Sequence, residues 1–272
     1  MMSTTLPDLR VVAFGFHEVV ERPEDSGFHR PGALAYKHRP EVFVQYLDAI
    51  AGGPVPPTLV DAITAGSRGD RLLLTFDDGG VSAMRAAELL EARGWRGHFL
   101  ITTGQLGKPG FLARADVCEL ARRGHRIGSH SHSHPNVFYD LSDAEMLEEW
   151  RTSFAILSDI IGAPAVAASI PGGDMDARVA PAAERAGARY LFTSEPVLRP
   201  WRHGALLCLG RVCPKVTTSV AAVCEFAHFR GFRKAMAVRR VKQALKRLLG
   251  PIYRQRVRQA ARRLPRPRQD RP

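Results

Sequence analysis

The chain has 272 residues, enough for one large domain with a substantial core, and its apolar fraction of 45% is ordinary for a soluble globular protein. No stretch approaches the ~20 apolar residues that span a bilayer. The start, Met1 to Asp8, has no leader-like pattern, and the four cysteines form no CxxC pair, which points to a cytoplasmic protein with free thiols, one structural disulfide being the alternative. The net charge of +12 sits at one end: from Arg230 onward sixteen Lys or Arg face one acid, Asp270, whereas the first 229 residues hold 23 basic and 26 acidic side chains.

Val11 to Phe16 reads as a buried strand ending at His17. Glu18 to Arg39 is polar and rich in Pro and Gly, as a long loop would be. Pro40 opens a helix to about Ile50, with Val42, Phe43, Tyr46, Leu47 and Ile50 at helical spacing, and Gly52-Gly53-Pro54 ends it. An alternation follows. Strand 71–76 leads to helix 82–93, strand 97–102 to helix 114–123, and strand 125–129 to a His-rich loop and helix 142–161. Strand 165–170 then leads to the loop Pro171-Gly172-Gly173 and helix 176–186, with strands 189–193 and 205–210 after it. Glycines 94, 124, 162 and 187 close the four helices. Such βα units predict an α/β fold with a parallel sheet, and six or seven strands favour a barrel with fewer than eight. Chemistry then belongs at the C-terminal ends of the strands. Those ends carry His17, Asp77-Asp78, Thr102-Thr103, His130, Pro171-Gly172-Gly173 and Ser194-Glu195.

Two of these ends stand out. Thr75-Phe76-Asp77-Asp78-Gly79 follows the apolar Leu72 to Leu74, and His130-Ser131-His132-Ser133-His134 follows Arg126-Ile127-Gly128-Ser129. Adjacent carboxylates raise one another's pKa, and a cation offsets that repulsion. The simplest assignment makes Asp78, His130 and His134 metal ligands and Asp77 a free base. Two imidazoles and one carboxylate leave positions open on a zinc ion for water and substrate. Taken alone, Asp-Asp-Gly also reads as a turn whose Asp caps helix 82–93. His132 is expected to support the site or to face solvent, and His125 to be structural.

TFDDG followed by HSxxH on βα units resembles the NodB-homology polysaccharide deacetylases, carbohydrate esterase family 4. His17 in Phe16-His17-Glu18-Val19 and His134-Pro135-Asn136-Val137 add to the likeness, which runs from about residue 10 to 212. The resemblance implies a distorted (β/α)7-type, NodB-like barrel and a divalent metal, usually zinc, on Asp78, His130 and His134. It further implies Asp77 as general base on the attacking water, removal of an N- or O-acyl group from a saccharide or glycolipid precursor, and an oxyanion donor from Gly172 or Gly173. The chain departs from the family pattern twice. Ser169-Ile170-Pro171-Gly172-Gly173 has Ser169 where Arg-x-Pro-x-Gly has its arginine, so another group must tune Asp77. The late Leu-x-His that supplies the acid has no clear counterpart, His203 and His228 being the only later histidines. His17 is either a proton donor or a structural histidine.

Residues 1–228 are thus read as the NodB-like domain and 229–272 as a basic helical tail. In the tail, Val238, Val241, Leu245 and Leu248 form one stripe among Arg239, Arg240, Lys242, Lys246 and Arg247, and Tyr253, Val257, Ala261 and Leu264 repeat it. The pattern over 233–264 fits a helix pair lying on an anionic membrane surface, with packing on the barrel as the alternative. Nucleic acid is disfavoured, since no aromatic interleaving accompanies the charge. The expectation is a deacetylase at the cytoplasmic face of a membrane. Its rivals are a deformylase or amidase on a lipid-linked amino sugar or other C–N bond, and a metal-binding module without catalysis.

Overall fold

A computed structural model describes residues 4–64 and 66–248. The chain divides into two units, Met1–Phe232 and Arg233–Pro272.

In the first unit the strands are β1 (Leu9–Phe16), β2 (Gly69–Phe76), β3 (His98–Ile101), β4 (Arg126–Ser129), β5 (Ala167–Ser169), β6 (Tyr190–Phe192), β7 (Leu206–Leu209) and β8 (Arg211–Val212). Helices α1 (Pro40–Ala51), α2 (Ala83–Glu91), α3 (Arg114–Arg122), α4 (Asp143–Ile161), α5 (Val179–Arg185) and α6 (Val220–Ala227) alternate with or follow them. β1 to β6 pair in parallel in chain order. β7 then pairs in parallel with β6, and β8, only Gly210 later, pairs in parallel with β1. One extended segment, 206–212, therefore joins both ends of the sheet and closes seven parallel positions into a distorted barrel, as expected. Only glycine fits at the joint: a Cβ on Gly210 would stand 2.3 Å from the Glu195 carbonyl oxygen. Two short strands, Trp201–His203 and Thr4–Thr5, add antiparallel at the outer edge, which makes ten strands in the sheet among the described residues.

Strand alternation separates two cores. Val12, Phe14, Phe16, Leu72, Leu74, Phe76, Phe99 and Ile101 pack outward against the helices. Val11, Ala13, Leu73, Leu100, Ala167, Phe192, Leu207 and Leu209 fill the barrel interior. Continuing the inward columns by two residues gives Gly15, Thr75, Ser169 and Arg211, so the top layer of the interior turns polar beneath the strand ends.

The segment 18–39 differs from the expected plain loop. Glu18–Val19 pairs in parallel with Lys37–His38, and Pro31–Leu34 forms a helical turn. Its polar residues fold inward because they satisfy one another. Glu18 accepts from Ser26 Oγ and, at 2.5 Å, from Ser82 Oγ, while Lys37 Nζ donates to the carbonyls of Pro23 and Ser26. Helix α5 begins three residues later than predicted, since Arg178 instead ties Asp176 to the Tyr139 and Leu141 carbonyls. All four cysteines are free.

A helix, α7 (Phe232–Leu248), begins at the last residue of the first unit and matches the predicted 233–249 as far as 248, the last described residue, with Val238 47% and Val241 60% exposed. The predicted repeat of the stripe at Tyr253 to Leu264 lies outside the described residues. Among the described residues no helix is long and apolar enough to cross a membrane.

Candidate active site

Asp77 and Asp78 directly follow β2. The Asp77 amide still donates to the Phe16 carbonyl, extending the β1–β2 ladder, so its side chain keeps the inward register of Leu73 and Thr75. Asp78 then enters the left-handed region with φ +75°, followed by Gly79 at +81°. That turn sends two adjacent carboxylates to different partners. A Cβ on Gly79 would lie 3.0 Å from Ile101 Cγ2, so the turn also requires the bare glycine.

The His loop leaves β4 in the same way. The His130 amide donates to the Ile101 carbonyl, and Ser131 (φ +65°) and His134 (φ +57°) reverse the chain. Helix α4 holds the loop: Glu149 accepts from the amides of His132 and Ser133, and Ser153 accepts from Ser129 Oγ. His132 turns away and pairs with Thr103 Oγ1 at 3.0 Å.

These turns bring Asp78, His130 and His134 together, with one donor atom from each inside a 4.8 Å cluster. Asp78 Oδ1 lies 3.4 Å from His130 Nε2 and 3.3 Å from His134 Nε2. Ligands about 2.0–2.2 Å from a tetrahedral zinc stand roughly 3.4 Å apart, so the spacing fits such an ion. The chemistry fits as well. Asp78 Oδ1 is buried, has no hydrogen-bond donor among the described residues, and faces two imidazole nitrogens, an acceptor set that a cation satisfies. Burial by itself would raise the Asp78 pKa, but His134, His17 and His130 hold it below the usual carboxylate range. Burial likewise lowers His130 to about 4, which leaves its imidazole neutral at pH 7. His130 Nδ1 meets Ser169 Oγ at 2.5 Å, and Ser169 Oγ donates to Asp77 Oδ1 at 3.1 Å. This fixes the His130 tautomer, with Nδ1–H donating and the Nε2 lone pair turned to Asp78.

Asp77 has a further partner that the motifs did not reveal. Arg211, at the start of β8, donates from Nη1 to Asp77 Oδ1 (2.7 Å) and from Nη2 to Oδ2 (2.8 Å). Against the desolvation that would raise it, this pair and His130 bring Asp77 down to about 2. Period-2 alternation from Leu207 and Leu209 would have pointed to Arg211.

Arg30 was also missed, because it lies in the segment read as a loop. Its Nη2 stands 3.3 Å from His134 Nδ1, its Nη1 donates to Asn136 Oδ1, and its guanidinium lies over Phe28. His17 follows β1, stacks on Tyr36 at 4.6 Å, and keeps Nδ1 buried without a hydrogen-bond partner among the described residues. Gly172 (φ +70°) is the exposed residue of the turn Pro171–Gly173 and lies beside Asn136, whereas the Gly173 amide donates to the Ile170 carbonyl. The later histidines are elsewhere: His203 faces Glu184 on the outer strand, and His228 bonds the Cys224 carbonyl in α6.

Residues 65–191 match the family model described as polysaccharide deacetylase. No curated protein matches the chain. Among solved structures, a polysaccharide deacetylase from Bacillus cereus superposes with TM-score 0.67 at 18% identity, over 80% of this chain and 69% of that one. The Streptococcus pyogenes deacetylase PplD in complex with acetate also gives 0.67 at 18% identity, over 81% and 99%. IcaB from Ammonifex degensii gives 0.66 at 20% identity, over 80% and 97%. At these identities the likeness shows a shared fold, while the family model falls on the segment that carries both motifs. Residues 65–191, just under half of the chain, thus carry the polysaccharide deacetylase match, and with the shared fold this supports a hydrolase that acts on carbon–nitrogen bonds.

Proposed function

We propose that the chain is a metal-dependent deacetylase that removes the N-acyl group from an amino sugar in a saccharide or glycolipid precursor. The observation that carries this reading is a pair of adjacent carboxylates in opposite roles: Asp78 turned to two imidazoles, Asp77 clamped by a buried arginine. Asp78, His130 and His134 would hold a divalent cation, and this nitrogen–oxygen donor set suits zinc. When bound there, such an ion acidifies water and polarises the acyl carbonyl.

The other steps belong to the protein. Asp77 Oδ1 already accepts from Arg211 and Ser169, whereas Oδ2 accepts from Arg211 alone, so Oδ2 is the oxygen with room for the proton of the attacking water. The exposed Gly172 supplies a backbone N–H for the oxyanion. His17 returns a proton to the leaving amine. In support, its Nδ1 is buried without a hydrogen-bond partner among the described residues.

The basic side of the rim supports an anionic substrate. Segments 27–40, 103–112, 130–138 and 213–219 contain no Asp or Glu and include Arg30, Lys108 and Lys215, whereas the acids Asp174, Asp176 and Glu195 follow β5 and β6. Leu34 and Val216, 43% and 51% exposed, are joined there by the Val216 amide donating to the Ala35 carbonyl. Together with the basic α7 this favours work at the cytoplasmic face of an anionic membrane.

The test is metal analysis combined with acetate or formate release from lipid-linked and free amino sugars. Asp78→Ala should lose metal and activity together. Asp77→Asn should keep the metal and lose about 100-fold or more in kcat. A folded, metal-free wild type whose activity survives Asp78→Ala would overturn the proposal. Bound metal with no acyl release from any substrate would leave a binding module.

A further inference from the structure

We propose that Arg211 is the positioning residue of Asp77, and that Gly15, Thr75 and Ser169 are the small inward-facing residues that make room for it. The inference rests on the proposed function and assigns a role that neither motif contains.

Three observations converge. First, the inward column of the closing segment runs Leu207, Leu209, Arg211, which carries the guanidinium into the barrel directly beneath Asp77. Second, the side chain is 1% exposed and four of its five N–H groups are matched: Nε to the Thr193 carbonyl (3.1 Å), Nη1 to Thr75 Oγ1 (2.9 Å) and Asp77 Oδ1, and Nη2 to Asp77 Oδ2. A planar fork held at two points on the barrel wall leaves a carboxylate one orientation. Third, the neighbouring columns are hollowed to fit it. A Cβ on Gly15 would lie 3.4 Å from Arg211 Cζ and 2.8 Å from Cys213 Sγ, and the facing β5 position is only a serine.

That serine is Ser169, where the family pattern has its arginine. Leu209-Gly210-Arg211 has the spacing of the family's late Leu-x-His, with arginine in place of histidine. In this chain the guanidinium has changed strands, from β5 to β8, and it reaches the same carboxylate from across the barrel. The move removes a histidine from the strand that supplies the family's acid, which throws proton delivery onto another residue.

The experiment compares wild type, Arg211→Lys, Arg211→Met and the swap Ser169→Arg/Arg211→Ser for metal content, folding, kcat and KM. Lysine keeps charge and bulk but cannot make the fork. Arg211→Lys should lower kcat by at least about tenfold and Arg211→Met by about 100-fold, with metal content intact and KM changed less than about threefold. Because the swap also removes the Ser169 acceptor from His130, it is assayed at saturating metal, where it should regain at least about tenfold over Arg211→Met, a rescue that a purely structural role would not produce. If Arg211→Met fails to fold, Arg211→Lys decides. A folded, metal-loaded Arg211→Lys with kcat within about twofold of wild type overturns the assignment. A wild type that releases no acyl group overturns the functional reading, and this assignment falls with it.

Discussion

Asp77 and Asp78 are neighbours in sequence and opposites in environment. Asp78 itself is left-handed, a conformation that costs a non-glycine residue about 1–3 kcal/mol and persists where the surroundings enforce it. Here the enforcing contacts are the Asp77 amide on Phe16 and the Thr102 amide on the Asp78 carbonyl. Ser169 connects the two halves of the site, since it receives His130 Nδ1 and donates to Asp77 Oδ1. Ser169→Ala removes the acceptor that orients His130 but leaves both Arg211 bonds to Asp77. Metal affinity should therefore fall about 10- to 100-fold while the fold is retained, as measured by competition with a chelator. Unchanged affinity would mean that His130 needs no such support.

At the scale of elements, the strand ends are shaped by neighbours that sequence periodicity does not display. Helix α4 positions the His loop through Glu149 and Ser153, and the segment between β1 and α1 folds around Glu18. Glu18 is fully buried, and burial raises its pKa from 4.5 to about 7 despite the hydroxyls of Ser26 and Ser82. Its folded-state pKa lies above the unfolded value. Its contribution to stability is therefore full below about pH 4.5, declines as pH rises, and is gone above about 7. Glu18→Gln should remove this slope. Between pH 4.5 and 8 the wild type should lose roughly 3 kcal/mol relative to the variant, read from urea melts at each pH. Parallel stability profiles would show that Glu18 stays ionised in the fold.

Over the whole molecule, charge and closure are handled by different parts of the chain. The segment 206–212 closes the barrel and brings Arg211 under the site, whereas most of the basic excess lies beyond it. On α7 the exposed Val238 and Val241 stand among Arg239, Arg240 and the preceding Arg233 and Lys234. Each cation near an anionic lipid surface contributes about 1 kcal/mol. Changing Arg233, Lys234, Arg239 and Arg240 to Glu in the full chain should weaken sedimentation with phosphatidylglycerol vesicles by at least about 100-fold. Activity on a soluble amino sugar should change little. Equal vesicle binding by the variant would remove α7 from any membrane role.

The sequence by itself determined the βα order, the barrel class and the assembly of Asp78, His130 and His134. Each of these is written in contiguous residues: an apolar run of strand length, a polar turn at its C-terminal end, and a glycine closing the next helix. It also showed that Ser169 could not do an arginine's work. What took over that work, only the tertiary structure decided. Arg211 and Asp77 are 134 positions apart and meet because a seven-stranded barrel returns its last strand to its first. Arg30 reaches His134 across 104 positions through a segment with no regular period. Local patterns specify elements because propensity and alternation act over a few residues. Partners such as these are specified by closure and by which small residues leave space inside, and neither is written near either partner.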